Sequence, residues 1–269
     1  MKRKSTLSIW REAWRGICIK RLTNRLGAWH RRRYKTGFTL IELLVVIAVI
    51  IVLAGLILST FGYVQKKGAR ARVETEIAAM SAACESYKAD NGVYPRDPKP
   101  NITTATDKLD ARTDGNPLPT PTPPANPSGA TYPPAGLVLY RALSGDRDVD
   151  GTVNATDQNF DIDGTTLTPP LTQLPTSYFT FKPSSLLRAD MSNPPSSSNP
   201  VTGIRDPFGN SYGYSTANQA DPTTPQGYNP TFDLWATCGE TGPQAGETFQ
   251  QYQLRWIKNW WGATAGRTV

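Results

Sequence analysis

Residues 38–61 read Phe-Thr-Leu-Ile-Glu-Leu-Leu-Val-Val-Ile-Ala-Val-Ile-Ile-Val-Leu-Ala-Gly-Leu-Ile-Leu-Ser-Thr-Phe, 24 residues with one charge, Glu42. About 20 consecutive apolar residues make a helix long enough to cross a bilayer. A buried core helix is rarely this apolar for this long, so the segment is expected to span a membrane. Its N-terminal flank sets the orientation. Residues 1–37 hold 12 Lys/Arg and one acid, Glu12, which gives 12 − 1 = +11. Residues 38–269 hold 17 Lys/Arg and 21 Asp/Glu, which gives −4. The formal charge of +7 therefore belongs to the leader. A basic arm on nucleic acid is the other reading of such a leader. An arginine-rich flank directly before an apolar run, however, holds that end in the cytoplasm. The pattern is not an ordinary secretory signal, because no small-residue cleavage site follows the apolar run. The apolar segment is expected to stay in the mature protein.

The helical pattern continues beyond the membrane segment. Val73, Ile77, Met80, Cys84 and Tyr87 recur at steps of four, three, four and three, which is one apolar stripe on a helix. Arg70, Arg72, Glu74, Glu76, Glu85 and Lys88 lie off it. The stop signal is Asp90-Asn91-Gly92, then Pro95. One helix is expected from residue 38 to about residue 89, apolar over 38–61 and amphipathic over 62–91.

Residues 92–269 form a head of different composition. All 23 prolines lie there, eight of them within residues 116–134, which reads as an extended loop or linker. Residues 192–200 read as a second loop. Strand candidates are Tyr178-Phe179-Thr180-Phe181, Ser211-Tyr212-Gly213-Tyr214 and Thr231-Phe232-Asp233-Leu234-Trp235. Residues 137–143 read as a short helix. The expected fold is α+β, a small antiparallel sheet with long loops packed on the stripe of the long helix. The aromatic cluster Trp256, Trp260 and Trp261 is expected to pack rather than to bind a sugar.

Gly37-Phe38-Thr39-Leu40-Ile41-Glu42, set between the basic leader and the apolar run, resembles the processing site of type IV prepilins and type II secretion pseudopilins. The resemblance implies cleavage between Gly37 and Phe38 by a prepilin peptidase and N-methylation of the new Phe38 amine. Residues 1–37 would be the cleaved leader, and Glu42 the acid at the fifth mature position. An ionised carboxylate in hydrocarbon is kept only with a partner or a task. The Phe38 amine of a neighbouring subunit is a suitable partner, and the pair would set the axial register of a filament. The bland reading leaves Glu42 hydrated near the membrane surface.

The resemblance continues in Glu85-Ser86-Tyr87-Lys88-Ala89-Asp90-Asn91-Gly92-Val93-Tyr94-Pro95, which looks like the helix end of the major pseudopilin, the general secretion pathway protein G-like family. Asp206-Pro207-Phe208-Gly209-Asn210 and Ile257-Lys258-Asn259-Trp260 fit it too, whereas residues 96–204 look like an enlarged insertion. The family implies a pilin-like fold and a structural role as a filament subunit rather than an enzyme. It implies a single pass of the inner membrane, a cytoplasmic N-terminus and a periplasmic head. Partners would be the prepilin peptidase, other pseudopilins and an inner-membrane assembly platform. The alternative is a type IV pilin or minor pilin that binds at the cell surface through its enlarged head. A membrane-anchored enzyme is the third class, but no nucleophile–base pair, phosphate loop or zinc ligand set is evident. The only histidine, His30, lies in the leader. Two features depart from the family. Its helix proline is missing, and Gly239-Glu240-Thr241-Gly242 lacks carboxylates expected of its C-terminal calcium loop.

A different calcium loop is expected at residues 146–157. Asp146, Asp148 and Asp150 stand at positions 1, 3 and 5, Gly151 permits the turn, and Thr152, Asn154 and Asp157 stand at positions 7, 9 and 12. The spacing resembles a dockerin-type loop. The other reading is a solvated acidic loop. Of three cysteines, Cys18 falls in the leader. Cys84 and Cys238 remain, either paired in an oxidising compartment or as two buried thiols.

Overall fold

The computed structural model describes residues 37–97, 105–118, 125–224 and 226–260. The leader with Cys18 and His30, and Trp261, lie outside the described residues. The described chain forms two compact units that divide after Gly55.

One helix, α1 (Leu40–Asn91), runs through 52 residues and so contributes to both units. Its start is capped by Thr39, whose hydroxyl accepts the Glu42 amide at 3.3 Å. Its end is set by Gly92 at φ +76°, whose amide donates to the Lys88 carbonyl at 2.7 Å. In the first unit, residues 37–55 are all exposed. This stretch lies in a helix long and apolar enough to cross a membrane.

In the second unit the stripe of α1 is buried as expected: Val73, Ile77, Met80, Cys84 and Tyr87 all face the core. The short elements of the head are α2 (Ala105–Lys108), α3 (Tyr132–Ser144), α4 (Ala217–Ala220) and α5 (Phe249–Gln253), with strands β1 (Leu186–Leu187), β2 (Gly203–Ile204), β3 (Gly213–Ser215), β4 (Asp233–Ala236) and β5 (Ile257–Lys258). The strands form two antiparallel sheets, β1-β2 and β3-β4-β5. Registers pair Leu186 with Ile204, Tyr214 with Leu234, and Ala236 with Ile257.

Helix α3 begins five residues before the sequence places it. Pro133 and Pro134 sit in its first turn, where a missing N–H breaks no intrahelical bond. The same prolines read as loop in the sequence. Leu139 and Leu143 of α3 are fully buried, so residues within 96–204 build the core beside α1. Strands β3 and β4 fall within two residues of their sequence candidates. Residues 178–181 do not form a strand: Tyr178 lies in a bend, and the amides of Tyr178 and Phe179 both donate to the Leu143 carbonyl, at 2.7 and 2.9 Å.

Strand β4 is central and covered on both faces. Leu234 and Ala236 join the cluster on the α1 stripe, while Trp235 points the other way into a second cluster with Leu109, Tyr132, Tyr252, Trp256 and Trp260. Trp256 and Trp260 are core residues, as expected. Gly213 lies directly under the indole: a Cβ there would stand 2.2 Å from the Trp235 ring.

Candidate functional site

The N-terminal site lies in the first unit. Phe38 is 78% exposed, and a Cβ built on Gly37 meets nothing within 4 Å. The described fold therefore places no steric demand for glycine at residue 37. Glu42 stands in the first turn of α1, where the positive end of the helix dipole favours a carboxylate. The Thr39 hydroxyl lies 3.5 Å from Glu42 Oε2, and it also accepts the Glu42 amide. Thr-x-x-Glu is the spacing of a capping box. That signal was readable in the sequence and gives Glu42 a local role beside the two weighed above.

The acidic loop lies in the second unit. Asp146, Asp148 and Asp157 come together, with one carboxylate oxygen from each within 4.8 Å of the others. Asp157 is fully buried and accepts the amides of Arg147 (2.6 Å), Asp148 (3.0 Å) and Asn154 (2.7 Å). Asp146 is almost as buried, accepts the Tyr140 hydroxyl at 2.6 Å and the Gly151 amide at 2.8 Å, and is pushed up to about 6, chiefly by burial. The Thr156 hydroxyl bonds Asp148. Asp150 stands apart from the three: its carboxylate accepts the amide and hydroxyl of Thr152 and faces the Asn154 amide. The turn depends on Gly151 at φ +94°, packed so closely on Pro195 that a Cβ would stand 2.7 Å from that ring. Three carboxylates held this close repel one another, and a hard divalent cation would relieve that repulsion. Three of the four expected carboxylates, Asp146, Asp148 and Asp157, are thus gathered at one point.

Of the two readings left open for Cys84 and Cys238, the structure has the free thiols, with no bond between them. Cys84 is wholly buried on the α1 stripe. Cys238 sits in a left-handed turn at φ +55° and feels the charges of Arg70 and Glu74. Burial pushes the Cys238 thiol up to about 12 and raises that of Cys84 further, which leaves both as packing groups rather than nucleophiles.

Where the family's calcium loop is expected, an arginine is present instead. Arg255 bonds Glu240 at 2.6 and 2.8 Å and pairs with Glu247, which closes residues 240–255 on themselves. Arg70 of α1 donates to the Arg255 carbonyl at 2.9 Å and ties that closure to the helix.

A family model described as the prokaryotic N-terminal methylation motif matches residues 32–58. The chain carries this methylation motif. Type II secretion system core protein G of Klebsiella michiganensis is 38% identical over 65 residues, 24% of this chain and 46% of that protein. The protein of the same name from Vibrio cholerae is 35% identical over 65 residues, 24% of this chain and 44% of that protein. The Pseudomonas aeruginosa protein of that name is 38% identical over 68 residues, again 24% of this chain and 46% of its own length. These matches bear out the resemblance to the major-pseudopilin family. The chain spans less than half the length of the curated relatives it matches. No solved structure matches it. The methylation motif covers Gly37, Phe38 and Glu42, so the residues brought together at the start of α1 are those the motif contains.

Proposed function

We propose that this chain is a structural filament subunit of the pseudopilin kind, working in type II protein secretion. A prepilin peptidase cuts between Gly37 and Phe38, and the new Phe38 amine is methylated. The protein waits in the inner membrane with its leader side in the cytoplasm and its head in the periplasm. It then leaves the bilayer for a filament held by contacts among the apolar halves of α1, with other pseudopilins and an assembly platform as partners. The observation that carries this reading is Gly37-Phe38-Thr39-Leu40-Ile41-Glu42 at the junction of a basic leader and a 24-residue apolar run. A filament subunit also explains an apolar helix that is exposed throughout residues 37–55 yet cannot remain in water.

The test is the intact mass and N-terminal sequence of protein extracted from native membranes. A chain beginning at methyl-Phe38 is expected. A chain still beginning at Met1, in cells with an active prepilin peptidase, would remove the filament reading and leave a membrane-anchored head.

The acidic loop adds a structural calcium to this proposal. Asp146, Asp148 and Asp157 would supply carboxylates from three sides, and the ion would brace residues 146–157 against α3 through Tyr140. Calcium at a hundred times its Kd is expected to stabilise the head by about 2.7 kcal/mol. Thermal unfolding of the full chain in micelles measures this, with calcium added to about 10 mM, above the range of weak extracellular sites. Magnesium at the same concentration should do little, because it demands a tighter octahedral cage. The shift should vanish in Asp157→Asn. An unchanged melting temperature with calcium would mean that the loop is held by its own hydrogen bonds.

A further inference from the structure

The apolar run ends at Phe61, and the next charges on α1 are all positive: Lys66, Lys67, Arg70 and Arg72. No Asp or Glu occurs from residue 43 to residue 73. The remainder of residues 38–269 has the opposite balance: 17 − 4 = 13 Lys/Arg against 21 Asp/Glu, or −8. Positive charge is thus gathered where the membrane segment meets the head. Residues 61–68 are exposed, and Ala69 and Arg70 are the first that the head begins to cover. Among the described residues, the side chains of Lys66, Lys67 and Arg72 make no hydrogen bond or ion pair. Arg70 instead donates to the Arg255 carbonyl at 2.9 Å. The acids around this end of the head are occupied or unpaired with these cations. Glu240 and Glu247 hold Arg255, Glu76 accepts the Tyr212 hydroxyl at 2.6 Å, and Glu74 makes no ion pair among the described residues.

At 1.5 Å per residue, Lys66 and Lys67 stand about 7.5–9 Å beyond Phe61 along the helix, and Arg72 about 16.5 Å. The headgroup layer on each side of a bilayer is roughly 5–8 Å deep. Side chains on a helix lean toward its N-terminus, which on α1 is the apolar end. Long Lys and Arg stems therefore reach back toward the headgroups. Their angular spread points the same way. At about 100° per residue, Lys67 and Arg72 stand about 100° and 240° around the axis from Lys66. Three free cations spread around the whole helix suit a charged plane that encircles it, whereas one neighbouring helix would meet a single face. Lys and Arg beside a span also favour the cytoplasmic side, so cations on the head side oppose the orientation that the leader imposes and call for a role of their own.

We propose that Lys66, Lys67 and Arg72 form a collar that binds the headgroups of anionic phospholipids in the leaflet on the head side of the membrane. The collar is drawn to the negative surface while the acidic remainder of the head is repelled by it, which fixes the depth of α1 and keeps the head off the bilayer. The inference rests on the membrane-spanning reading of α1, and on neither cleavage at Phe38 nor filament assembly.

The experiment places the full chain in vesicles of equal parts phosphatidylcholine and phosphatidylglycerol. Trace probe of either lipid carries a diazirine near its headgroup. Peptide mapping after illumination reads residues 61–73 separately from the leader, whose own cations also meet lipid. Phosphatidylglycerol probe is expected to label residues 61–73 about fivefold more than phosphatidylcholine probe, the factor for one cation near a charged surface. The ratio should fall toward one when Lys66→Gln and Lys67→Gln are made together, at exposed positions that carry no packing, and also in about 1 M salt. Insertion is read in the same vesicles from a diazirine at the acyl-chain end, which should label residues 43–55. No labelling there would overturn the collar together with the membrane-spanning reading. Labelling there, with equal labelling of residues 61–73 by both headgroup probes, would overturn the collar alone. A carbodiimide cross-link from Lys66 or Lys67 to a second copy would then assign these cations to a neighbouring subunit's acids. A fivefold ratio that survives in the double variant would overturn it as well.

Discussion

Trp235→Ala is expected to lower the unfolding free energy of the head by about 3–5 kcal/mol, the range for removing a large aromatic side chain from a packed core. Trp235 is fully buried, stands edge-on to Tyr132 at 5.4 Å and stacks on Trp256 at 6.0 Å. Its indole N–H donates to the Tyr132 hydroxyl at 2.9 Å, and that hydroxyl donates to the Asp114 carbonyl at 2.7 Å. One side chain therefore holds the central strand, the start of α3 and the loop at residue 114. Alanine would leave a cavity among rings that cannot collapse into it, because each is fixed by its own hydrogen bond or neighbour. Trp235→Phe separates the contributions: most of the buried area remains while the N–H bond is lost, and a cost of about 1–2 kcal/mol is expected. Urea unfolding followed by circular dichroism measures both. A loss under about 1 kcal/mol in the alanine variant would mean that the second cluster is loosely packed.

The Trp235 site also illustrates what the sequence makes legible. Thr231-Phe232-Asp233-Leu234-Trp235 reads as a strand, but not as one buried on both faces, because Asp233 breaks the apolar run. The structure resolves this by burying Asp233 under the amides of Tyr228 and Asn229 at 2.7 and 2.9 Å. Helix α1 was readable because it has many turns. Its stripe repeats over four steps, and Asp90-Asn91-Gly92 gives the stop. The strands have two to four residues each, too short for alternation to mark their ends. Residues 178–181 carry a strand sequence but join no strand pair among the described residues, since pairing is a property of neighbours rather than of the segment. The twelve-residue acidic spacing correctly brought Asp146, Asp148 and Asp157 together, but it could not reveal that Asp150 turns to Thr152. The sequence left the pairing of Cys84 and Cys238 open, because Cα separation is not legible there, and the structure keeps both as free thiols.

Glu42→Leu is expected to abolish filament assembly by more than about tenfold while leaving membrane insertion and cleavage at Phe38 intact. A carboxylate in the middle of a membrane helix costs about 2.5–3.5 kcal/mol on insertion scales, and less near its end. Leucine would therefore ease insertion, and the acid needs a reason to be there. Among the described residues it gains the Thr39 hydroxyl and the helix dipole, a cap worth about 0.5–2 kcal/mol. That offsets part of the cost, but it does not require a charge, since glutamine also completes a capping box. Glu42→Gln thus distinguishes the two roles. If Glu42 pairs with the Phe38 amine of a neighbouring subunit, the neutral side chain loses most of the attraction in a low-dielectric surround, and assembly falls nearly as far as with leucine. If Glu42 is only a cap, Glu42→Gln assembles normally and Glu42→Leu loses a little helix at its first turn. Filaments sheared from cells expressing each variant with the secretion machinery give the yield, and the mass of the membrane pool verifies that each subunit begins at methyl-Phe38. Wild-type yields from both variants would leave Glu42 as a cap and move the source of axial register to the head.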